Sequence, residues 1–119
     1  MTHVLHLAAS PFRLIREGRK TIELRLYDEK RKRIRTGDTL LFVSAENSAD
    51  TMEATVTGLY VFDSFDALYR ALPLEQCGYS AEETASPDDM LAYYSQAQIA
   101  QNGVVGIAFM LRETRGEEA

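Results

Sequence analysis

The chain has 119 residues, of which 45% are hydrophobic and 26% charged, a balance typical of a globular domain, and we expect a single domain over residues 1–119. No apolar run approaches the roughly 18–20 residues that span a bilayer, and the N-terminal residues lack the features of a signal peptide, so we expect a cytoplasmic protein that makes no membrane contact. Cys77 is the one cysteine, which excludes an internal disulfide and a cysteine-based metal cluster.

The positive charge is concentrated in the first 36 residues. This segment contains 10 of the 13 Lys and Arg residues and four Asp and Glu residues, a balance of 10 − 4 = +6. The remainder of the chain has 3 − 14 = −11, so the formal net charge of −5 conceals a segregation. The asymmetry indicates a local surface for a phosphate or a short nucleotide stretch, and it disfavours a general coat for DNA. A solvated charged turn explains the pattern equally well.

The first part of the chain predicts a strand, a short helix and a second strand. Residues 3–8 are apolar and partly alternating, which is typical of a strand. We expect Ser10 to cap the helix, Pro11 to occupy its first position and Gly18 to end it. Residues 20–27 alternate strictly, so their apolar side chains share one face of a strand and their polar side chains share the other.

The rest of the chain predicts three further strands and two further helices. We expect a bulge at Gly58, and we expect helices to begin at Ser64 and at Ser86, which precedes a proline. The tail, residues 112–119, is expected to be frayed. The predicted strands cover residues 39–45, 52–62 and 104–111.

This order of elements predicts an α+β fold. Five or six strands with short helices inserted between them suit a small, closed, mostly antiparallel β-barrel. A parallel doubly wound sheet is disfavoured, because the second, third and fourth strands follow one another without intervening helices.

One stretch of the sequence carries a family resemblance. Residues 18–25, GRKTIELR, fit the pattern Gly-x-Lys-x-x-Glu-x-Arg without departure. With this signature, the chain resembles the ASCH domain, a member of the PUA-like superfamily, along almost its whole length. Further similarity lies in PF-x-x-I-x-x-G at residues 11–18, the Gly37-Asp38 turn, CGYS at 77–80, DDM-x-x-YYS at 88–95 and VVGI at 104–107.

The resemblance implies a PUA-like β-barrel with a cleft beside the signature strand that is used for RNA or nucleotides. Members of the family have been linked to RNA binding, to ribonuclease activity and to amidohydrolysis of an acetylated cytidine. We expect no cofactor and no metal, since the acidic pair Asp88 and Asp89 is explained by the dipole of the helix that it begins. Fold alone does not decide between these functions, so the site must be argued from its own residues.

The signature strand supplies the main candidate site, Lys20, Glu23 and Arg25. Two cations beside one carboxylate are expected to keep Glu23 ionised and to lower its pKa. Glu23 is then a good acceptor for a base amino group or a sugar hydroxyl, and a poor general acid near neutral pH. The structural alternative is a surface salt bridge on a strand.

Other residues are candidates for contacts with a ligand. Ser10 at the start of the first helix is expected to reach a phosphate. Among the aromatic residues, only one or two are expected to reach the cleft as base-stacking groups, with Tyr79 preferred because it lies in an irregular segment. The aromatic candidates are Phe12, Tyr27, Tyr79, Tyr93 and Tyr94.

A basic turn follows the signature strand and is expected to extend the anion-binding rim along an RNA backbone. Alternatively, its charges protect a sheet edge against aggregation. The basic turn consists of Lys30, Arg31, Lys32, Arg33 and Arg35.

The sequence leaves three functions open besides simple binding. An amidohydrolase would use Lys20 and Glu23 as catalytic residues, although the acetylcytidine-hydrolysing subgroup has a threonine nucleophile at the Glu23 position and Thr21 lies one step out of phase. A metal-independent ribonuclease would need an acid and a base, and His3 and His6 are expected on opposite faces of a strand. A protein-interaction module would use the acidic remainder. The sequence predicts no oligomeric state.

Overall fold

The computed structural model describes residues 1–115, which form one five-stranded sheet with short helices in the connections. The strands are β1 (Thr2–Leu7), β2 (Ile22–Leu26), β3 (Thr39–Ser44), β4 (Thr51–Phe62) and β5 (Val104–Arg115). The α-helices are α1 (Ala9–Arg16), α2 (Phe65–Ala71) and α3 (Gln96–Asn102), and 3₁₀ helices cover Arg31–Arg33, Leu74–Cys77 and Pro87–Ala92. The prediction of a frayed tail is wrong for residues 112–115, which extend β5. Residues 116–119 lie outside the described part of the chain.

The strand order is β1-β3-β4-β5-β2, with β1 and β3 parallel and every other pair antiparallel. This confirms the α+β, mostly antiparallel prediction. The sheet is a half-barrel, whereas a closed barrel was expected. Within residues 1–115, β1 and β2 are the two edges of the sheet and do not pair with each other. The seam between these two edges is where the candidate site lies.

Strand β4 bends where the sequence predicts it. The register between β4 and β5 shifts between Val56 and Gly58, which confirms the bulge expected at Gly58. A bulge increases the local twist, and it allows these two strands of 12 residues each to curve around the core.

The core consists of two apolar clusters that lie on opposite sides of β5. Neighbouring residues of a strand point to opposite faces, and Val105 belongs to the first cluster whereas Val104 belongs to the second. Helix α1 contributes Phe12 and Ile15 to the first cluster. Helix α2 packs on the second, together with the apolar face of β2. Four of the five residues of β2 are buried, and Arg25 is partly exposed.

The start of helix α1 corrects the prediction for Ser10 and Pro11. The N-cap is Ala8, whose side chain makes no capping hydrogen bond, so Ser10 and Pro11 occupy the second and third helical positions. A proline is tolerated there because the first N–H groups of a helix have no intrahelical acceptor. Gly18 follows the end of this helix as predicted, with φ of 78°.

The other helix starts follow local capping signals. The Ser64 hydroxyl accepts a hydrogen bond from the Ala67 N–H, and Ser86 forms a capping box with Asp89, which confirms both predicted starts. Helix α3 was not predicted, although Ser95 and Gln98 form the same kind of box. Within residues 1–115, no helix is long and apolar enough to cross a membrane.

Candidate functional site

Glu23 stands at the centre of a buried group of three charges. The Lys20 ammonium lies 2.7 Å from Glu23 Oε1. The Arg25 guanidinium donates from Nε to Glu23 Oε2 over 2.8 Å, and its Nη2 lies 2.8 Å from the same oxygen. The structure therefore brings together the Lys, Glu and Arg of the signature in one cluster, which we call the KER cluster (Lys20, Glu23, Arg25).

The backbone around Lys20 explains how a residue before the strand reaches Glu23. Gly18 ends helix α1, and the N–H groups of Arg19 and Lys20 then both donate to the Leu14 carbonyl, over 2.9 and 3.2 Å. The next N–H, that of Thr21, donates to the Gln76 carbonyl over 2.8 Å. The chain is thus held between α1 and the 3₁₀ helix Leu74–Cys77 before it enters β2.

Gly78 lies against the Lys20 side chain. Gly78 has φ of 110°, a conformation that disfavours other residues. A Cβ atom at this position would lie 3.4 Å from Lys20 Cδ, so the backbone packs closely against the lysine stem. The CGYS segment therefore covers one side of the KER cluster.

Arg25 also connects the two free edges of the sheet. Its Nη2 donates to the His6 carbonyl of β1 over 3.1 Å. In the β2–β5 pairing, Glu23 is opposite Ile107 and Arg25 is opposite Val105, both of which belong to the first core cluster. Because opposed residues share a face, the KER cluster lies on the inner face of the half-barrel, at its open seam.

The electrostatics of Glu23 follow from this geometry. Burial alone raises the pKa of Glu23, and the charges and hydrogen bonds of Lys20 and Arg25 lower it by more, so that the pKa lies below its ordinary value. Glu23 is therefore a carboxylate at neutral pH. It is available as a hydrogen-bond acceptor and is unsuited to donate a proton.

A cleft of about 540 Å³ opens beside the KER cluster. This volume falls within the usual range for small-molecule sites and suits a nucleoside. Its walls include all three members of the cluster and four tyrosines, so charged and aromatic groups face one space. The cleft is lined by His6, Leu7, Ala8, Ser10, Pro11, Leu14, Lys20, Glu23, Leu24, Arg25, Tyr69, Cys77, Gly78, Tyr79, Glu83, Asp89, Met90, Tyr93 and Tyr94.

Two of the tyrosines are fixed by a hydrogen-bond chain. The hydroxyls of Tyr69 and Tyr79 are 2.8 Å apart, and Tyr79 donates to Asp89 Oδ2 over 2.7 Å. Burial and these hydrogen bonds raise the pKa of Tyr79 far above its ordinary value, so the phenol stays protonated. Asp89 thus orients a cleft aromatic, and no group of three or more potential metal ligands occurs among the residues that the structure describes.

The structure brings some of the predicted ligand contacts into the cleft and not others. Ser10 and Tyr79 line it together with the KER cluster. Phe12 is buried in the first core cluster and Tyr27 packs against that cluster, with the Lys32 ammonium 5.7 Å from its ring centre. Neither Phe12 nor Tyr27 lines the cleft, so their positions do not favour ligand contact.

No residue of the basic turn lines the cleft. Arg31 pairs with Asp28 at 2.9 Å, and Lys32 lies 3.7 Å from Glu29. Burial raises the pKa of Tyr94, a cleft residue, whereas the positive charges of Arg25 and Arg31 act to lower it. The charge of Arg31 therefore acts on one residue of the cleft wall.

Sequence reasoning missed several cleft residues. Tyr69 was not among the candidates, and Asp89 was explained by a helix dipole. Only their contacts with the Tyr79 hydroxyl reveal their role in the cleft. Cys77 also lines the cleft, and burial raises its pKa to about 11, which keeps it a neutral thiol. His6 lines the cleft, whereas His3 bonds Asp38 Oδ2 at 2.8 Å.

Comparison with known proteins agrees with the sequence signature. The hypothetical protein PH0355 has a crystal structure that is similar with a TM-score of 0.79 and 28% identity, over 94% of this chain and 100% of that one. A solution structure of PF0455 from Pyrococcus furiosus is similar with a TM-score of 0.67 and 25% identity, over 93% of this chain and 97% of that one.

An ASCH protein of Zymomonas mobilis shares the fold, with a TM-score of 0.65 and 12% identity over 95% of this chain and 69% of that one. None of the curated proteins matches the sequence significantly. The sequence model of the ASCH domain matches residues 5–112, nearly the full length of the chain. The chain therefore belongs to the ASCH domain family and has its PUA-like fold.

Proposed function

We propose that this ASCH domain binds RNA or a nucleotide in the cleft, with the KER cluster as the recognition group. The observation that carries the proposal is a buried carboxylate, kept ionised by two cations, in the wall of a cleft whose other walls contain four tyrosines. A base offers both kinds of contact at once, because its edge carries hydrogen-bond donors and acceptors and its faces stack on aromatic rings.

The KER cluster offers both acceptors and donors to a base. Glu23 is an acceptor for an amino group, and an ionised acceptor makes a stronger hydrogen bond than a neutral one. Lys20 has three N–H donors, one of which faces Glu23, and the others are candidates for a carbonyl or ring nitrogen. A site of this kind discriminates strongly between ligands, since a ligand without the matching groups leaves buried charges without the hydrogen bonds that they would otherwise make.

The charge segregation of the chain supports a nucleic-acid ligand. The charge of Arg31 in the basic turn acts on Tyr94 of the cleft wall, and Ser10 lines the cleft near the start of helix α1. These groups favour phosphate on one side of the site, while the acidic remainder repels long polyanions. A cytoplasmic location remains a prediction from the sequence.

Catalysis is a second possibility that the site permits in part. Glu23 next to Lys20 would act as a base for water, with Lys20 stabilising the oxyanion of an amide substrate. Thr21 does not line the cleft and its hydroxyl donates to Gln76 Oε1 over 3.2 Å, so it is not placed as a nucleophile. The protein-interaction alternative has no specific observation in its favour.

The test is a titration of wild type and two variants with the four ribonucleosides and with single-stranded RNA of four nucleotides. We expect Glu23→Gln and Lys20→Ala to weaken binding of the preferred ligand at least about tenfold, or ~1.4 kcal/mol. The control is Glu29→Gln, which makes the same change at an exposed carboxylate outside the cleft.

Product analysis in the same samples distinguishes binding from catalysis. Release of acetate from N4-acetylcytidine, or shortening of the RNA, identifies an enzyme if both variants abolish it. Binding that is unchanged in both Glu23→Gln and Lys20→Ala, with folding confirmed by thermal melts, would contradict the assignment of the cleft.

A further inference from the structure

Tyr93 is an aromatic residue of the cleft that the protein leaves largely uncovered. Its exposed fraction is 73%, whereas the neighbouring Tyr94 is half-buried and its ring stacks on Phe65, with centroids 6.3 Å apart and planes 13° apart. Leu91, from the same segment, is also exposed, at 41%. An exposed aromatic side chain that lines a cleft has no role in the core and is available to a ligand.

The charges around the mouth differ from place to place. The cleft lining includes the acids Glu83 and Asp89, which disfavour a phosphate beside them. Next to Tyr93 lies Tyr94, with ring centroids 6.4 Å apart. Tyr94 is within electrostatic reach of Arg31 of the basic turn, although burial is the main influence on its pKa and raises it. Positive charge therefore acts on Tyr94, the ring next to Tyr93.

We propose that the cleft takes one base of a single strand and that the neighbouring base stacks on Tyr93 at the mouth. This inference rests on the proposed function and narrows its ligand class, from a nucleoside or RNA to a single strand of at least two nucleotides. Stacking is sequence-tolerant because every base has a π-face, so Tyr93 adds affinity while the KER cluster selects the base.

The test compares each ribonucleoside with its homodinucleoside monophosphate: adenosine with ApA, cytidine with CpC, guanosine with GpG and uridine with UpU. We expect the dinucleoside of the preferred base to bind wild type about tenfold more tightly than its nucleoside, since base–aromatic stacking is of this order. Tyr93→Ala is expected to remove this gain, so that the dinucleoside binds this variant no more tightly than the nucleoside does. Tyr93→Phe retains the ring and is expected to retain the gain.

Tyr60→Ala is the matched control, because Tyr60 is also an exposed tyrosine, at 46%, and does not line the cleft. The inference is overturned if dinucleosides bind no more tightly than nucleosides, or if Tyr93→Ala keeps the gain. It is also overturned if Tyr93→Ala weakens nucleosides and dinucleosides equally, which would make Tyr93 part of the first base site. If neither the eight probes nor the single-stranded RNA of four nucleotides binds wild type, the proposed function fails as well, so the two failures are distinguishable.

Discussion

Two ion pairs of the same spacing lie in the basic N-terminal segment, and they have different environments. Lys20 and Glu23 are three residues apart and meet at 2.7 Å, with side-chain exposures of 11% and 5%. Glu29 and Lys32 are also three residues apart, at 3.7 Å, with exposures of 88% and 46%. The first pair lines the cleft and the second does not.

The two pairs have the same charges, so the segments that pack against a pair, rather than its charges, distinguish a site from a solvated surface. Gly78 packs on the Lys20 stem, and Arg25 links Glu23 to the edge of β1 through the His6 carbonyl. The exposed pair consists of the same residue types, but the high dielectric of water and the loss of side-chain entropy reduce its contribution to stability. Buried charges depend on their partners, so each member of the KER cluster should be sensitive to loss of another.

The largest expected effect is that of Glu23→Ala on stability. It leaves Lys20 and Arg25 buried without their common counter-charge, and removal of one partner of a buried pair costs about 3–5 kcal/mol. Glu29→Ala, at the exposed pair, should change stability by less than about 0.5 kcal/mol. Urea denaturation of the three proteins measures both free energies of unfolding. Equal losses in the two variants would remove the distinction between the pairs.

A smaller effect is expected for Arg25→Lys, which keeps the charge. Lysine has no planar fork, so it cannot reproduce the contacts to both Glu23 and the His6 carbonyl, and we expect a loss of about 1–3 kcal/mol in unfolding free energy. Arg70→Lys on the exposed side of α2 is the control and should be nearly neutral. A neutral Arg25→Lys would show that the seam does not depend on the guanidinium.

The pH dependence sharpens the comparison further. The pKa of Glu23 is below its unfolded value of 4.5, so its stabilisation is complete above pH 4.5 and is lost as pH falls through the lower folded pKa. In the His3–Asp38 pair, the hydrogen bond from His3 lowers the pKa of Asp38 from 3.8 to about 2, so its contribution is lost between those values. Differences in unfolding free energy between wild type and Glu23→Gln or Asp38→Asn should therefore shrink in these windows. Differences that stay constant down to pH 2 would contradict both shifts.

The sequence predicted most of the fold because the relevant signals are local. Strict alternation placed β2, and Gly58 marked the bulge in β4. Ser10 failed as a cap because a proline is tolerated at any of the first helical positions, so Ser-Pro does not fix where a helix begins. The prediction of a closed barrel was wrong because alternation within each strand does not determine whether the two edge strands pair.

The sequence predicted the charged centre of the candidate site but not the residues that form the walls of the cleft. The signature identified the KER cluster, whose contacts span only six residues of chain. Tyr69, Tyr79 and Asp89 come together from separate segments, and the sequence periodicity of a helix or strand does not predict such contacts. Phe12 was expected in the cleft, yet it faces the core, since an aromatic residue on a short amphipathic helix is usually buried.

The most direct test of the account is an NMR titration of ¹⁵N-labelled protein with single-stranded RNA of four nucleotides. We expect the largest chemical-shift changes at the backbone amides of residues 20–25 and 77–79, around the KER cluster and the CGYS segment. Residues 29 and 32, at the exposed pair, should move less. Shifts confined to the basic turn, with residues 20–25 and 77–79 unmoved, would contradict the claim that the buried charges form the recognition site.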